Sequence, residues 1–357
     1  MRRRDTGARR RSRVTATLAV VLGVALLAAA CGDDNDKKAA TNASPTTTAA
    51  SSTTASPAGG IRIRAGLNDP KDGNIAVTEF LPDKVTVATG SKVSWGWSGT
   101  EPHSVTFKDG GKLPPPGPPD EKLFAPTPPT GDYDGSAALV NSGLLPQGPQ
   151  APPDFTLTFA KPGTYLYFCV IHPGMTGEVD VVADASKADT AKAVTDRGDA
   201  ALDGYLAEGR AAKKKLAEAA PRKEAAGSGT NWFVEMGTTT EHTDILAFSP
   251  VPVSVKPGDQ VTFVNNSQAP HTATFGPVPP NPTDPKVVNP APGPSPQPLV
   301  GGGAFLNTGE LPPDSPPGAG PPLAARSYTY TVPTAGTYSF VCALHVSSGM
   351  AGSINAA

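Results

Sequence analysis

The chain has 357 residues and a formal net charge of −2, from 30 basic and 32 acidic residues. The first 30 residues hold seven of the arginines and one aspartate, so the remainder carries a net charge of −8. An acidic chain of this kind argues against proteins that bind nucleic acid through a basic surface, and we expect no nucleic-acid partner. Surface charge would not hold it to anionic lipids either.

Residues 1–31 have the pattern of an export signal with a lipidation motif. An arginine-rich region precedes an apolar run from Val14 to Ala30, which is near the lower length limit for crossing a bilayer. The run ends in Leu27-Ala-Ala-Ala-Cys31 and resembles a bacterial lipoprotein signal, with Ala28 where that pattern usually has leucine. The resemblance implies a lipidated Cys31 and a protein exported to the outer face of the cell membrane. An uncleaved anchor and a free periplasmic or extracellular protein are the alternatives.

Residues 32–60 are rich in Ser, Thr and Pro and are predicted to form a disordered tether. A first folded domain is predicted over residues 61–182. Its short apolar runs alternate with a period of two and are separated by Gly, Pro and Asp turns, which favours an antiparallel β-sandwich or barrel. The predicted strands are 75–80, 84–88, 92–97, 104–107, 155–159, 164–168 and 177–182.

This first domain contains one set of residues suited to a metal. His103 precedes a strand, and Cys169, His172 and Met175 share one short segment after a Lys-Pro-Gly-Thr turn. A cysteine thiolate, two imidazoles and a weakly bound methionine sulfur are the ligands of a mononuclear blue-copper site. The sequence therefore predicts a copper ion here.

Residues 183–229 are rich in Ala, Lys and Glu and are predicted to form a helical linker, packed loosely and serving as a spacer. Residues 230–357 then repeat the plan of the first domain. His271 precedes a strand, and Cys342, His345 and Met350 follow a Thr-Ala-Gly-Thr turn. A second copper ion is predicted at these four residues.

The distribution of residue types supports two metal sites. The chain has three Cys, five His and four Met, and two Cys, four His and two Met fall within the two sets. Apart from the initiator and Cys31, only His242 and Met236 are left over; we expect His242 to be a surface residue rather than a ligand of a third ion. A disulfide between Cys169 and Cys342 is the main alternative, because the expected compartment is oxidising.

The motifs resemble those of plastocyanin and the wider cupredoxin family. The resemblance is carried by Val255-Lys-Pro-Gly-Asp-Gln-Val-Thr-Phe-Val-Asn-Asn266 with Pro270-His271, and by the segment from Ala335 to Gly352. The first domain has a shorter Cys-x2-His-x2-Met spacing, similar to amicyanin-like proteins, and Ser98-Gly-Thr-Glu101 in place of the paired asparagines. The family implies an all-β protein: two cupredoxin-like Greek-key β-sandwich or barrel domains joined by the helical spacer.

The function implied is electron transfer through two type 1 copper sites, with an unidentified redox partner protein and a monomeric chain. Extracytoplasmic copper storage or delivery is an alternative, because the same ligands could hold Cu(I) for transfer. A two-domain copper oxidase or nitrite reductase is a further alternative, but those enzymes place a histidine beside the copper cysteine. Here Phe168 and Val170 flank one cysteine, and Val341 and Ala343 the other. No catalytic residues are predicted.

Hydroxyl groups next to the first histidine of each set are candidates for hydrogen bonds to the ligands. These are Ser104 and Thr272, and ordinary strand packing is the alternative for both. Trp95 and Trp97 lie on one predicted strand and are expected to be core residues rather than electron relays.

Overall fold

The computed structural model describes residues 60–114, 120–144, 153–280, 284–288, 295–301, 303–314 and 323–357. The predicted signal peptide, Cys31 and nearly all of the predicted tether lie outside these ranges. The described residues all belong to one compact unit. Within the described ranges, no helix is both long enough and apolar enough to cross a membrane.

The described part of the N-terminal half, within residues 61–182, contains nine strands. All seven predicted strands are present, with ends that differ from the prediction by up to three residues. Two strands were missed: the short strand at residues 139–141, and the first strand, although its side chains alternate between buried and partly exposed over much of its length. The strands are β1 (Ile61–Asp69), β2 (Asp72–Leu81), β3 (Lys84–Ala88), β4 (Lys92–Trp97), β5 (Thr106–Lys108), β6 (Leu139–Asn141), β7 (Phe155–Thr158), β8 (Gly163–Phe168) and β9 (Thr176–Val182).

A long helix, α1 (Ala191–Glu218), follows, and the C-terminal half, residues 223–357, completes the fold. Thr190 caps the helix by accepting a hydrogen bond from the backbone N–H of Ala193. A one-turn helix, α2 (Pro285–Val288), lies among the later strands. These strands are β10 (Lys223–Ala226), β11 (Gly229–Thr239), β12 (Thr243–Ser249), β13 (Val253–Val255), β14 (Gln260–Val264), β15 (Thr274–Phe275), β16 (Gln297–Pro298), β17 (Leu306–Asn307), β18 (Ser327–Thr331), β19 (Gly336–Val341) and β20 (Ala351–Ala356).

The described strands form three sheets in two layers. A five-stranded sheet in the order β3-β9-β8-β5-β6 belongs to the N-terminal half, and a second in the order β13-β20-β19-β15-β17 belongs to the C-terminal half. A ten-stranded sheet runs through both halves in the order β16-β18-β14-β11-β12-β2-β1-β4-β7, with β10 paired to β11. In each half, the apolar core contains residues from the five-stranded sheet and from the ten-stranded sheet, so each half is a β-sandwich.

The two halves meet within the ten-stranded sheet. Strand β2 pairs antiparallel with β12, so that Asp244 lies opposite Ala76 and Ile245 opposite Ile75. Side chains at this junction form a separate apolar cluster that includes Ile75, Val77, Leu81, Ile245 and, from the helix, Leu206. The sheet therefore joins the halves directly, without an intervening linker at this point.

Helix α1 packs on this junction and does not separate the halves, which corrects the prediction of a loosely packed spacer. Arg210 forms a bidentate ion pair with the buried carboxylate of Asp69 on β1, with N–O distances of 2.7 and 2.8 Å. A Cβ atom at Gly209 would lie 2.5 Å from Ile75 Cγ2, so the glycine allows the helix to approach the sheet closely. The cost of glycine to the helix is thus offset by packing.

Candidate metal centres

Each set of predicted ligands is brought together at one end of its β-sandwich. In the N-terminal half, Cys169 directly follows β8, and the loop to β9 carries His172 and Met175. Backbone hydrogen bonds close this loop: Cys169 N–H donates to Met175 O at 2.9 Å, and Met175 N–H donates to His172 O at 3.1 Å. His103 reaches the same place from the segment before β5, which pairs with β8 through Thr106.

In the N-terminal centre, the donor atoms of His103, Cys169 and His172 all lie within 4.8 Å of one another. Cys169 Sγ is 3.9 Å from His103 Nδ1 and 3.4 Å from His172 Nδ1. His103 and Cys169 are buried, whereas His172 is partly exposed. Met175 is 1% exposed and belongs to the same apolar cluster as Cys169.

The C-terminal centre has the same arrangement. Cys342 Sγ is 3.7 Å from His271 Nδ1 and 3.3 Å from His345 Nδ1, and the two Nδ1 atoms are 3.1 Å apart. All three residues are buried, and their donor atoms lie within 4.8 Å of one another. Met350 is 1% exposed, and its carbonyl accepts a 3.0 Å hydrogen bond from Cys342 N–H. Cys169 and Cys342 are both free, so the disulfide alternative is wrong.

Each of the two donor sets fits one copper ion. Three donors around one ion, with bonds of about 2.0 to 2.3 Å, are separated from each other by roughly 3 to 4 Å. The measured separations fall in this interval. A thiolate with two imidazoles is a donor set that copper binds strongly, and a buried methionine in the same short loop as the cysteine suits a weak axial ligand. No carboxylate belongs to either group of donors.

The surroundings prepare the thiols to bind a cation. Burial alone would raise the pKa of Cys169, but the His172 and His103 imidazoles outweigh it and hold the pKa well below its usual range. The pKa of Cys342 is lowered well below its usual range in the same way, with burial opposed by His345 and His271. Thiolates are the form that binds metal, so both centres favour the reactive form.

Backbone amides support the two sulfur atoms. Ser104 N–H donates to Cys169 Sγ, and Thr272 N–H donates to Cys342 Sγ, each at 3.4 Å. The hydroxyls of these residues, which were the predicted groups, instead accept 2.8 Å hydrogen bonds from the N–H groups of Val170 and Ala343. Ser104 and Thr272 do contact the ligands, but through the backbone amide. Their hydroxyls instead hold the residue that follows each cysteine.

A buried asparagine anchors this network in each half. Asn141 Oδ1 accepts from Thr106 Oγ1 at 2.9 Å, and its amide donates to the carbonyls of Leu123 and Ala125. Asn307 accepts from Thr274 Oγ1 at 3.0 Å in the C-terminal half, and its amide donates to the carbonyls of two residues in α2. Each asparagine thereby connects the strand behind the first histidine to the segment that follows that strand: the segment between β5 and β6 in the N-terminal half, and α2 in the C-terminal half.

The first histidine of each centre lies against a glycine with positive φ. A Cβ atom at Gly66, where φ is +63°, would lie 1.9 Å from His103 Nε2. At Gly237, where φ is +85°, it would lie 2.9 Å from His271 Nε2. The close approach leaves no room for a side chain, which orients the ring with Nδ1 towards the cysteine.

The second histidines have different surroundings. His345 Nε2 lies 3.2 Å from Glu101 Oε2, which belongs to the N-terminal half and is itself buried. The longer loop of the C-terminal centre forms a 3-10 turn over Val346–Ser348, and Ser348 Oγ lies 2.6 Å from Thr100 Oγ1 and 3.3 Å from Glu101 Oε1. The C-terminal centre is therefore bounded by residues of both halves.

Sequence reasoning singled out Glu101 only as a departure from the family motif. It stands two positions before His103, but its contact is with His345, 244 positions away, and no local pattern signals such a contact. Trp97 was expected in the core; it is partly buried and donates from Nε1 to His103 O at 3.3 Å. Trp95 is fully buried, as predicted.

His242 and Met236 belong to neither ligand set, and His242 is in neither group of metal donors found among the described residues. His242 Nδ1 lies 2.9 Å from Glu208 Oε2 on α1, and its ring stacks on Tyr205 with centroids 4.0 Å apart. Met236 is completely buried in the core of the C-terminal half. His242 therefore contributes to docking of the helix.

Comparisons with known sequences agree with the donor chemistry. The sequence profile of copper-binding proteins of the plastocyanin/azurin family matches residues 69–182. Amicyanin-alpha from Methylorubrum extorquens is 31% identical over 107 residues, which are 30% of this chain and 67% of that protein. Among solved structures, an oxidised amicyanin mutant is 20% identical, covering 35% of this chain and 83% of its own, with a TM-score of 0.23. A reduced Cu(I) form of another amicyanin mutant is 19% identical, covering 36% and 86%, also with a TM-score of 0.23.

Proposed function

Because this chain belongs to the copper-binding plastocyanin/azurin family of cupredoxins, we propose that it is an electron-transfer protein with two mononuclear type 1 copper centres. The ligands are His103, Cys169, His172 and Met175 in the N-terminal centre. The C-terminal centre uses His271, Cys342, His345 and Met350. The observation that carries the proposal is that the donors of both His–Cys–His groups converge, with an amide hydrogen bond to each sulfur.

The side chains of each centre suit a one-electron site. Copper bound by a thiolate and two imidazoles supplies reversible one-electron chemistry, with a potential tuned by the axial ligand and by hydrogen bonds to the sulfur. Hydrogen bonds within the chain hold these groups in place. Ser104 and Thr272 support the thiolates, and the buried asparagines Asn141 and Asn307 fix the strands behind the histidines.

Burial of the ligands favours electron transfer over copper delivery. In the C-terminal centre, Cys342 is fully buried and His345 is 4% exposed, so a receiving protein has no direct access to either donor. Ligand exchange with a partner would require the loop after Cys342 to open, whereas an electron can pass without such movement. Storage or delivery is therefore the second candidate.

The wider setting is also part of the proposal. The two β-sandwich halves are two cupredoxin domains that arose by duplication of one plan, and they present two centres to an unidentified redox partner. The chain acts as a monomer outside the cytoplasm, tethered to the membrane through lipid on Cys31. Support for the tether comes only from the sequence of residues 1–31.

Absorption spectroscopy of the purified protein during titration with Cu(II) tests the function. We expect an intense thiolate-to-copper band that grows to about two equivalents and bleaches reversibly with reductant. Tight Cu(I) binding without such a band would overturn the electron-transfer proposal in favour of storage or delivery.

A further inference from the structure

The ion pair between Glu101 and His345 lies across the boundary between the two halves. Glu101 is in the segment between β4 and β5 of the N-terminal half, and His345 is a donor of the C-terminal centre. The side chains are only 8% and 5% exposed, and Glu101 Oε2 is 3.2 Å from His345 Nε2. A buried carboxylate is costly unless it is paired, so the burial of Glu101 depends on its pairing with His345.

The geometry assigns one role to each nitrogen of His345. Nδ1 lies 3.3 Å from Cys342 Sγ and 3.1 Å from His271 Nδ1, so it is the donor directed into the centre. Nε2 then carries the proton and donates it to the Glu101 carboxylate. In metal sites, a carboxylate on the far nitrogen fixes the tautomer and ring orientation of a histidine and raises its basicity as a ligand.

The loop of the C-terminal centre is built to make this contact. It has two more residues between His345 and Met350 than the corresponding loop of the N-terminal centre has. The additional length forms the 3-10 turn that brings Ser348 to Thr100 and Glu101. The Ser348 carbonyl accepts a 2.8 Å hydrogen bond from Asn74 Nδ2, also from the N-terminal half. Three residues of the N-terminal half thus hold the turn.

The N-terminal centre has no matching pair on its second histidine among the described residues. The hydrogen bonds recorded for the His172 ring are with Cys169 alone, and the ring is partly exposed. At the position that corresponds to Glu101 in the C-terminal half, two residues before His271, the chain has Ala269. A carboxylate of the N-terminal half therefore contacts the C-terminal centre, whereas the corresponding residue of the C-terminal half has no carboxylate to contact the N-terminal centre.

We propose that Glu101 is a positioning residue for the C-terminal copper centre, so that this centre is completed by the N-terminal half. The inference rests on the proposed function, because it assumes that the C-terminal donors hold copper. Through its hydrogen bond to His345, the carboxylate stabilises the higher positive charge of Cu(II) relative to Cu(I). It also covers the edge of His345, so access to this ligand from solvent is blocked by a residue of the other half.

The test uses variants with a single intact centre. Cys169→Ser leaves the C-terminal centre, and Cys342→Ser leaves the N-terminal centre. In the first background, Glu101→Gln should weaken Cu(II) binding about 10- to 100-fold, the usual cost of losing such a partner. It should also shift the thiolate-to-copper band and raise the reduction potential. A tenfold change in relative Cu(II) and Cu(I) affinity corresponds to about 59 mV for one electron.

Two controls separate positioning from charge and from general destabilisation. Glu310 interacts with Cys342 and His345 through charge alone, so Glu310→Gln removes a nearby carboxylate without touching the imidazole. It should change Cu(II) affinity much less than Glu101→Gln does, because outer-shell losses of 10- to 100-fold need direct contact with a ligand. In the Cys342→Ser background, Glu101→Gln should weaken the N-terminal centre several-fold less than the C-terminal centre, because Glu101 acts on His103 and His172 through charge and its hydrogen bond is to His345.

The results distinguish the inference from the proposed function. If the Cys169→Ser protein gives a normal band that Glu101→Gln leaves unchanged in position, affinity and potential, the inference is wrong and the copper function stands. The inference is also wrong if Glu101→Gln affects both centres equally, or affects the C-terminal centre no more than Glu310→Gln does. If the Cys169→Ser protein binds no copper at all, both the inference and the C-terminal part of the proposed function are overturned.

Discussion

The two metal centres have the same donors and the same internal supports but different boundaries. Each has an amide hydrogen bond to its cysteine, a hydroxyl that fixes the following residue, and a glycine behind its first histidine. They differ at the second histidine: His172 is partly exposed, whereas His345 is covered by Glu101 of the other half. Two similar sequence motifs therefore give one centre that opens towards solvent and one that is enclosed by an internal interface.

The asymmetry follows from how the halves are joined. Pairing of β2 with β12 places Asn74 and the segment around Thr100 and Glu101 against the C-terminal loop. The longer loop fills this space with a 3-10 turn. A loop of the shorter type, as found after His172, lacks the residues at the position of Ser348. The difference in loop length thus has a structural consequence that neither half shows when it is considered separately.

The largest expected effect concerns the glycines behind the first histidines. Gly66→Ala should abolish copper binding at the N-terminal centre, because the new Cβ atom would overlap His103 Nε2 and strain a residue with positive φ. Gly237→Ala should weaken the C-terminal centre less, because its Cβ would lie 2.9 Å from His271 Nε2 and the closest clash, at 2.7 Å, would be with the backbone carbonyl of Ile245 and not with the ligand. Copper content after dialysis, measured for each variant in the matching single-centre background, checks this order.

Two other glycines serve as controls for backbone strain. Gly90 and Gly258 also have positive φ, but no atom lies within 4 Å of the position of a new Cβ. Alanine at either site should cost about 1 kcal/mol of unfolding free energy and leave copper binding unchanged. An equal loss of copper in Gly66→Ala and Gly90→Ala would contradict the role assigned to close approach.

A smaller effect is expected from the buried asparagines, and it should be similar in the two halves. Asn141→Ala removes four side-chain hydrogen bonds and Asn307→Ala removes three, and both leave buried carbonyls without partners. Each should lower the free energy of unfolding by roughly 2 to 3 kcal/mol. Urea unfolding measures the change, and Asn355→Ala, at an exposed position on β20, should stay within about 0.5 kcal/mol of the parent.

A difference of more than about 2 kcal/mol between Asn141→Ala and Asn307→Ala would show that the two networks are not equivalent, because each loses the same kind of hydrogen bond. The two centres would then differ in the hydrogen bonds that support their strands, and not only in the surroundings of the second histidine.

The smallest expected effect is a pH dependence in the N-terminal half. Burial, together with the charges of Asp83, Glu241 and Glu208, raises the pKa of Glu79 to about 8; His172 opposes the shift. In the unfolded chain the same carboxyl loses its proton near pH 4.3. Between these values the folded state binds more protons, so stability should fall as pH rises from about 4.3 to about 8 and then level off.

Glu79→Gln should remove this contribution. We expect the free energy of unfolding of the metal-free protein to rise by about 1 kcal/mol at pH 8.5 and to change little at about pH 4, a modest figure because water reaches part of the side chain. Urea titrations at the two pH values provide the test. The matched variant Glu241→Gln alters an exposed carboxylate nearby, and an equal pH-dependent gain there would contradict the role of burial.

The sequence was sufficient for most strands of the N-terminal half and for the grouping of the His and Cys residues, because both depend on local patterns. Alternation of apolar residues located seven of the nine described strands of that half, and the motif spacing predicted the two His–Cys–His groups that lie together. That these residues and the two methionines bind copper stays a prediction. The interface between the halves could not be predicted in this way. Glu101, Asn74 and Ser348 meet only because β2 and β12 pair, and pairing between distant strands leaves no periodic signal in the chain.

The helix between the halves illustrates the same limit. Its composition predicted a helix, but its glycines suggested weak, loose packing. In the structure Gly209 allows close contact with Ile75, and Arg210 pairs with a buried aspartate whose partner the sequence does not identify. Propensity describes the isolated helix, whereas its place on the sheet is decided by tertiary contacts.

The copper content of three proteins tests the central claim most directly: the parent chain, Cys169→Ser and Cys342→Ser, each loaded with Cu(II) and freed of unbound metal. The claim predicts about two equivalents in the parent and about one in each variant, since loss of the thiolate removes one ligand set and leaves the other complete. Each variant should retain a thiolate-to-copper band, and the two bands should differ because the centres have different boundaries. A parent that binds a single equivalent, lost entirely in one variant and retained in the other, would contradict it.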